Sequence, residues 1–215
     1  MKTRKGEVKM FFKTTVLKRM FKNAYKGAGL TVGHSEKVNE HGEVIAEGYY
    51  VGGMRWVIWL DAEHMPKEVK AAIIELCGEL PVAGEVFKAY KDGGNQYGIE
   101  GCEIFDLPEI YKKAKVHFNV SRVLMEYNGD QYRLMQAFTE EQRIAAINEM
   151  FVDLIDRKAV DEEKGEWEPI GPVAISEDAP SMLWGNNVCY LMALTIDMGD
   201  EEQEYMRFLE QKEII

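Results

Sequence analysis

The sequence predicts an α+β fold with mostly antiparallel sheets, built from βαβββ-like units whose helices pack on one face. Short β-prone runs outnumber helical ones, and Gly-containing turns separate neighbouring runs as they do in hairpins. Helices and strands do not alternate as they would in a parallel βαβ sheet. With 215 residues, 46% of them hydrophobic, the chain is long enough to bury a sizeable core.

The N-terminal segment predicts a strand over 7–13, followed by an amphipathic helix. Thr14 or Thr15 is the expected N-cap of a helix that runs to about Lys26 and ends at Gly27 and Gly29. Its apolar side chains recur every three and four residues and form one buried stripe: Val16, Leu17, Met20, Phe21 and Ala24. The opposite face carries four cations: Lys18, Arg19, Lys22 and Lys26.

The middle of the chain predicts strands, a loop over 35–43 and one helix. The predicted strands are 30–34, 44–51, 54–60, 85–91, 96–99 and 102–107. Gly52-Gly53 is the predicted turn between the second and third of them. The helix starts near Pro66 and stops before Pro81.

The last part of the chain begins with a hairpin, 115–127 and 131–138, around Asn128-Gly129. A helix over 139–158 is predicted next, because Thr139 and Gln142 fit a capping box. Strands at 170–176 and 188–196 and a short helix from about Glu201 complete the prediction. The pattern divides into an α+β domain over 1–112 and a second one over 113–215, or forms one continuous domain.

Charge is distributed very unevenly along the chain. Residues 1–26 contain nine Lys/Arg and one acid, a net charge of +8, and because the whole chain carries −11 the other 189 residues carry −19. A local positive surface attracts polyanions, while an acidic remainder limits non-specific binding. The basic helix is therefore a candidate nucleic-acid-binding face, although surface lysines on an amphipathic helix are also ordinary.

Cysteine usage and hydropathy indicate a soluble, cytoplasmic protein with no membrane partner. The three cysteines, Cys77, Cys102 and Cys189, are widely spaced and odd in number, which favours reduced buried thiols over disulfides or a zinc site. No signal-peptide pattern is present, and no apolar run approaches the ~18 residues of a membrane span.

No motif indicates catalysis, a metal or a cofactor. The histidines His34, His41, His64 and His117 lie in separate predicted elements without metal-ligand spacing. Gly27-Ala28-Gly29 follows a helix and does not open one, so it is not a phosphate loop. His64, beside Asp61 and Glu63, is the least ordinary histidine, because a carboxylate can orient an imidazole.

Three stretches resemble the DNA polymerase sliding clamps. Residues 10–27 (MFFKTTVLKRMFKNAYKG) are similar to a clamp's opening strand and first pore-lining helix. Residues 55–107, from RWVIWLD to EIFDL, resemble the middle of a clamp domain, and 173–196 (VAISEDAPSMLWGNNVCYLMALTI) resemble the last hairpin of the bacterial clamp. The resemblance implies a ring around duplex DNA with a positive pore, an acidic rim and an apolar surface pocket for partner peptides.

Parts of the chain depart from the clamp pattern. It is too short for the three-domain bacterial form, although a two-domain subunit of a trimer would have about this length. The predicted helix 139–158 exposes acids, the wrong sign for a DNA-facing pore.

The sequence thus leaves three functions open. The first is a non-enzymatic, clamp-like protein that contacts duplex DNA through Lys18, Arg19, Lys22 and Lys26. The second is an acidic protein-interaction or inhibitor protein, such as one from a mobile element, which binds through the helix 139–158 and the acidic tail 200–213. The third is an enzyme with a site near His64. Self-association is open in each case.

Overall fold

The computed structural model describes residues 9–99, 106–161 and 170–214, and the α+β class predicted from the sequence is confirmed there. The helices are α1 (Thr14–Lys26), α2 (Lys67–Cys77), α3 (Leu107–Lys113), α4 (Glu149–Leu154), α5 (Arg157–Asp161) and α6 (Asp200–Leu209). The first six strands are β1 (Leu30–Val38), β2 (Val44–Gly53), β3 (Trp56–Asp61), β4 (Val86–Tyr90), β5 (Gly94–Tyr97) and β6 (Val116–Tyr127). The others are β7 (Asp130–Ala137), β8 (Ile144–Asn148), β9 (Val173–Ala174), β10 (Ser181–Gly185) and β11 (Cys189–Leu194).

Within the described residues these strands form one 11-stranded sheet in the order β5-β4-β1-β2-β3-β11-β10-β9-β6-β7-β8. Each neighbouring pair is antiparallel. The predicted division at residue 112 stays a prediction, but the sheet crosses it, because β3 pairs with β11 from Trp56↔Ala193 to Leu60↔Cys189.

Both faces of the sheet are covered, which differs from the predicted one-sided layer of helices. Alternate residues of a strand point to opposite faces, and on β3 Ile58 packs in the main core while Trp59 packs in a second cluster. The main core also contains side chains of α1, α2 and α4. On the other face α3 adds Leu107 to the Trp59 cluster, and α6 adds Leu209 to a third cluster over β7 and β8.

The first helix forms where it was predicted, but its N-cap residue differs. Lys13 is the N-cap residue, and within the described residues no side chain makes a capping hydrogen bond, so neither Thr14 nor Thr15 has that role. Of the strand predicted over 7–13, residues 7 and 8 lie outside the described part. The rest makes only a single antiparallel bridge, between Phe12 and Ile155.

The first hairpin is longer than predicted. The loop expected over 35–43 is strand as far as Val38, so β1 pairs with β2 from Thr31↔Gly52 to Val38↔Val44. The turn to β3 lies at Met54-Arg55, because Gly52 and Gly53 are still paired with Val57 and Trp56. The Asn128-Gly129 hairpin forms as predicted, with the positive φ angles (52° and 80°) that a type I′ turn requires.

The helix predicted over 139–158 is wrong. Residues 144–148 form β8, which pairs with β7, and Gln142, the expected capping partner, has a φ of 50°. Helical structure starts only at Glu149, where the Asn148 side chain accepts a hydrogen bond from the Met150 amide at 3.0 Å. The apolar residues spaced like a helix therefore belong to the strand β8 and to the short helix α4 with its C-cap residue Ile155.

The remaining predictions are partly confirmed. Strand structure in 170–176 is limited to Val173–Ala174, and β10 was not predicted. Leu107 begins α3 and does not end a strand, while 102–105 lie outside the described residues.

Cys77 and Cys189 are buried free thiols, as expected, and Cys102 is also outside the described part. Burial raises the pKa of the Cys77 thiol to about 11.

Candidate nucleic-acid interface

Helix α1 separates apolar from cationic side chains as its sequence predicts. Val16, Leu17, Met20 and Phe21 are buried against the sheet. Lys18, Arg19, Lys22 and Lys26 are all exposed. The four predicted contact residues therefore lie on one solvent-facing helix surface, which we call the α1 cationic face.

Three of these cations form a row along the helix. Lys18, Lys22 and Lys26 are four residues apart, so they stack on neighbouring turns over about 12 Å of helix axis. Like charges at this spacing destabilise a helix by a few tenths of a kcal/mol per pair. Within the described part of the chain, no carboxylate forms an ion pair with any of the three. Helix stability accounts only for Lys26, whose charge complements the helix C-terminus.

Arg19 differs from the lysine row because it has an acidic partner. Its Nη2 lies 3.5 Å from Oδ2 of Asp153 on α4, while Lys13 Nζ contacts Oδ1 of the same carboxylate at 2.9 Å. The Arg19 and Asp153 side chains are 58% and 47% exposed, so the ion pair is weak, about 0–1 kcal/mol. Arg19 thus contributes less free positive charge than the lysines.

Two cavities flank α1. One, of about 510 Å³, is lined by Lys13, Arg19 and Arg157 but also by Glu149 and Asp153, so its charge is mixed. The other, of about 470 Å³, lies beside the C-terminal half of α1 and is mostly apolar. Its lining includes Met20, Ala24, Trp56, Leu194 and Ile196. Neither cavity is a purely cationic pocket, so the positive charge is on an open surface.

The acids expected on the helix 139–158 do not form one acidic face. Glu149 pairs with Arg133, Asp153 with Lys13, and Glu141 with Arg143 at 3.1 Å. A cluster of acids does open α6, namely Asp200, Glu201 and Glu202. In the described part of this half, neighbouring acids thus lie together on one helix at α6, whereas the acids of 139–158 do not.

His64 contacts one of its two predicted carboxylates. Its Nδ1 lies 2.6 Å from Asp61 Oδ1, which also accepts hydrogen bonds from the backbone amides of Glu63 and His64. Asp61 therefore closes the turn that leads from β3 to α2. This structural role accounts for the contact.

The sequence did not indicate a convergence at His34. This buried imidazole on β1 meets Glu47 on β2, and Glu36 lies beside them. The signal was His-x-Glu at a strand period, which places both side chains on one face. It was missed because the predicted strand ended at His34.

None of the described helices has the length and apolarity needed to cross a membrane. No protein-family model, curated protein or solved structure matches the chain.

Proposed function

We propose that this protein is a non-enzymatic binding protein that contacts the phosphates of duplex DNA through the α1 cationic face. The observation that carries the proposal is the row Lys18, Lys22 and Lys26, three exposed cations with no ion-pair partner in the described residues. Such a row has a small cost in helix stability, and a polyanion would remove that cost.

The charge distribution of the whole chain supports the same proposal. A positive helix on a body with a net charge of −19 directs a polyanion to one surface and repels it elsewhere. The sliding-clamp resemblance of residues 10–27 belongs to this proposal as an analogy of fold. Encirclement of DNA would additionally require self-association.

The test compares two triple variants that change the net charge equally. Lys18, Lys22 and Lys26 are replaced by Glu in one, and the exposed Lys91, Lys113 and Lys115 in the control. Binding to a 30-base-pair duplex is measured by fluorescence anisotropy between 50 and 200 mM salt. Each phosphate contact contributes about −0.9 to the slope of log K against log salt. The slope of the Lys18/Lys22/Lys26 variant should therefore be less steep than that of the wild type by about 2.7. The control should change it far less.

Equal losses of duplex affinity in the two variants would contradict the proposal, because net charge alone would then explain binding. Wild-type affinity of a folded Lys18/Lys22/Lys26 variant would also contradict it. We expect Arg19→Gln to weaken binding less than Lys22→Gln, since Asp153 already neutralises part of the Arg19 charge.

The second candidate, an acidic protein-interaction protein, is supported by the exposed acids Asp200, Glu201 and Glu204 on α6. It has less support than the sequence suggested, because the acidic helix 139–158 does not exist. The enzyme near His64 stays a hypothesis that is supported by the Asp61 contact.

A further inference from the structure

The buried imidazole of His34 has a hydrogen-bond acceptor at each ring nitrogen. His34 is 8% exposed, and its ring stacks on Tyr49 with 4.6 Å between centroids. Nδ1 lies 3.2 Å from the carbonyl oxygen of Pro81, in the segment that follows α2. Nε2 lies 2.9 Å from Glu47 Oε1 on the neighbouring strand.

Two acceptors require two ring protons, one more than a neutral imidazole carries. A carbonyl oxygen and an ionised carboxylate both only accept hydrogen bonds, whereas a neutral imidazole carries one N–H, so a neutral His34 can donate to only one of its two partners. In the tautomer that donates from Nδ1 to the Pro81 carbonyl, the Nε2 lone pair points at the Glu47 carboxylate. Two acceptors 2.9 Å apart repel each other unless a proton or a metal ion lies between them.

Glu36 adds a second carboxylate to the same place. It is the direct cross-strand partner of Glu47, and like charges in this position destabilise a sheet. One ligand atom from each of His34, Glu36 and Glu47 lies within 4.8 Å of the others. Within the described residues Lys70 forms no ion pair with them: its Nζ donates to the Ala62 carbonyl at 2.8 Å and lies over the Tyr49 ring.

We propose that His34, Glu36 and Glu47 form a binding site for a divalent transition-metal ion of the zinc class. One imidazole nitrogen and two carboxylates suit such an ion better than Mg²⁺ or Ca²⁺, which prefer oxygen ligands alone. With Nε2 on the metal, Nδ1–H would donate to the Pro81 carbonyl, which is the kind of outer-shell hydrogen bond that fixes the tautomer of a metal-ligating histidine.

The geometry can reach metal-binding distances by small side-chain movements. Zinc bonds of about 2.0–2.2 Å in a tetrahedral arrangement place ligand atoms roughly 3.3–3.5 Å apart. The His34–Glu47 contact must open slightly and Glu36 must move inward. Both movements are available, because Glu36 is exposed and the Glu47 side chain is 45% exposed. Three protein ligands leave the fourth position to water.

The test uses the full chain and adds Zn²⁺ or Co²⁺ alone. Calorimetry should give one Zn²⁺ per chain, and Co²⁺ should give the visible absorption of a low-coordinate site. Glu36→Gln and Glu47→Gln should each weaken Zn²⁺ binding by about tenfold or more. The matched control is Glu43→Gln, an exposed carboxylate on the same hairpin outside the cluster, which should bind Zn²⁺ like the wild type.

The competing occupant of the site is a proton. If ¹⁵N NMR at pH 7 shows a doubly protonated His34 ring that does not respond to Zn²⁺, the metal proposal is overturned. Equal Zn²⁺ affinity of the wild type and Glu47→Gln would overturn it as well. Because Glu36 is exposed and the Glu47 side chain is 45% exposed, the test does not depend on a destabilising change at His34. DNA binding is not a readout, so this result is independent of the proposed function.

Discussion

At the scale of single residues, one carboxylate ties the edge of the sheet to the end of a helix. Glu79, which follows α2, accepts hydrogen bonds from the Tyr97 hydroxyl at 2.6 Å and from Asn95 Nδ2 at 2.7 Å. Asn95 also donates to the carbonyl oxygen of Cys77. These hydrogen bonds lower the pKa of Glu79 below its ordinary 4.5, and the bond from Tyr97 has a larger effect than the bond from Asn95. The edge strand β5 is therefore held by an ionised group.

Replacement of Glu79 by Gln should reduce the sensitivity of the protein to acid. A carboxyl whose folded-state pKa is lowered adds stability above its ordinary pKa of 4.5, and this stability is lost as the pH falls through the lowered value. The free energy of unfolding, measured with urea from pH 7 to pH 3, should thus fall less in Glu79→Gln than in the wild type. The control is Glu75→Gln, an exposed change on α2. Identical pH dependence in all three proteins would contradict the assignment.

At the scale of elements, a bidentate ion pair joins β7 and α4. Arg133 donates from Nε and Nη2 to the two carboxylate oxygens of Glu149, at 2.9 and 2.5 Å, and from Nη1 to the Ser121 carbonyl of β6. The two side chains are only 15% and 26% exposed. The hydrogen bond to Glu149 raises the pKa of Arg133. This contact fixes α4 directly after β8.

Removal of either partner should destabilise the protein by about 1–3 kcal/mol, because the other charge is left largely buried. We suggest Arg133→Met, Glu149→Gln and the double variant, with the free energy of unfolding measured by urea. A double-variant cycle should give a clear coupling energy. If the pair contributes nothing, the losses of unfolding free energy in the two single variants should add up to the loss in the double variant. The exposed pair of Arg143 and Glu141 provides the comparison, and its coupling should be near zero.

The same region shows why an element can be mispredicted. Ile144, Ile147, Phe151 and Leu154 recur every three or four residues, as in a helix. In the structure Ile144 and Ala146 pack toward α6, whereas Ile147 packs in the main core, which is the alternation of a strand. Pairing with β7 decides this, and it is not encoded in the spacing. The true capping residue, Asn148, lies nine residues after the predicted Thr139.

At the scale of the whole molecule, one strand connects the two halves of the sequence. β11 lies between β3 and β10, so the sheet is continuous across residue 112. Leu191, near the middle of β11, is fully buried in the main core with side chains from both halves. We therefore expect the protein to unfold as one cooperative unit.

Leu191→Ala should test this cooperativity. Loss of a fully buried leucine costs about 2–5 kcal/mol through lost burial and the cavity that remains. Amide hydrogen exchange should show equal losses of protection in β3 and in β6, which lie on opposite sides of residue 112. If only one half responds, the two predicted domains unfold separately. Leu194→Ala, at a 39% exposed position on the same strand, should cost much less.

The sequence by itself determined the features that depend on near neighbours. The cationic and apolar faces of α1 follow from residues three and four apart, and the Asn128-Gly129 turn follows from two residues that tolerate positive φ. The candidate DNA-contacting residues could be named in advance for this reason.

Only the tertiary structure decided how distant segments meet. The pairing of β3 with β11 joins residues more than 120 positions apart, and the Phe12–Ile155 bridge joins the start of the chain to the end of α4. Glu36 and Glu47 face each other beside His34 because of the β1–β2 register. Strand register depends on packing and loop closure and not on local propensity. The basic helix could therefore be predicted from the sequence, whereas the His34 cluster could not.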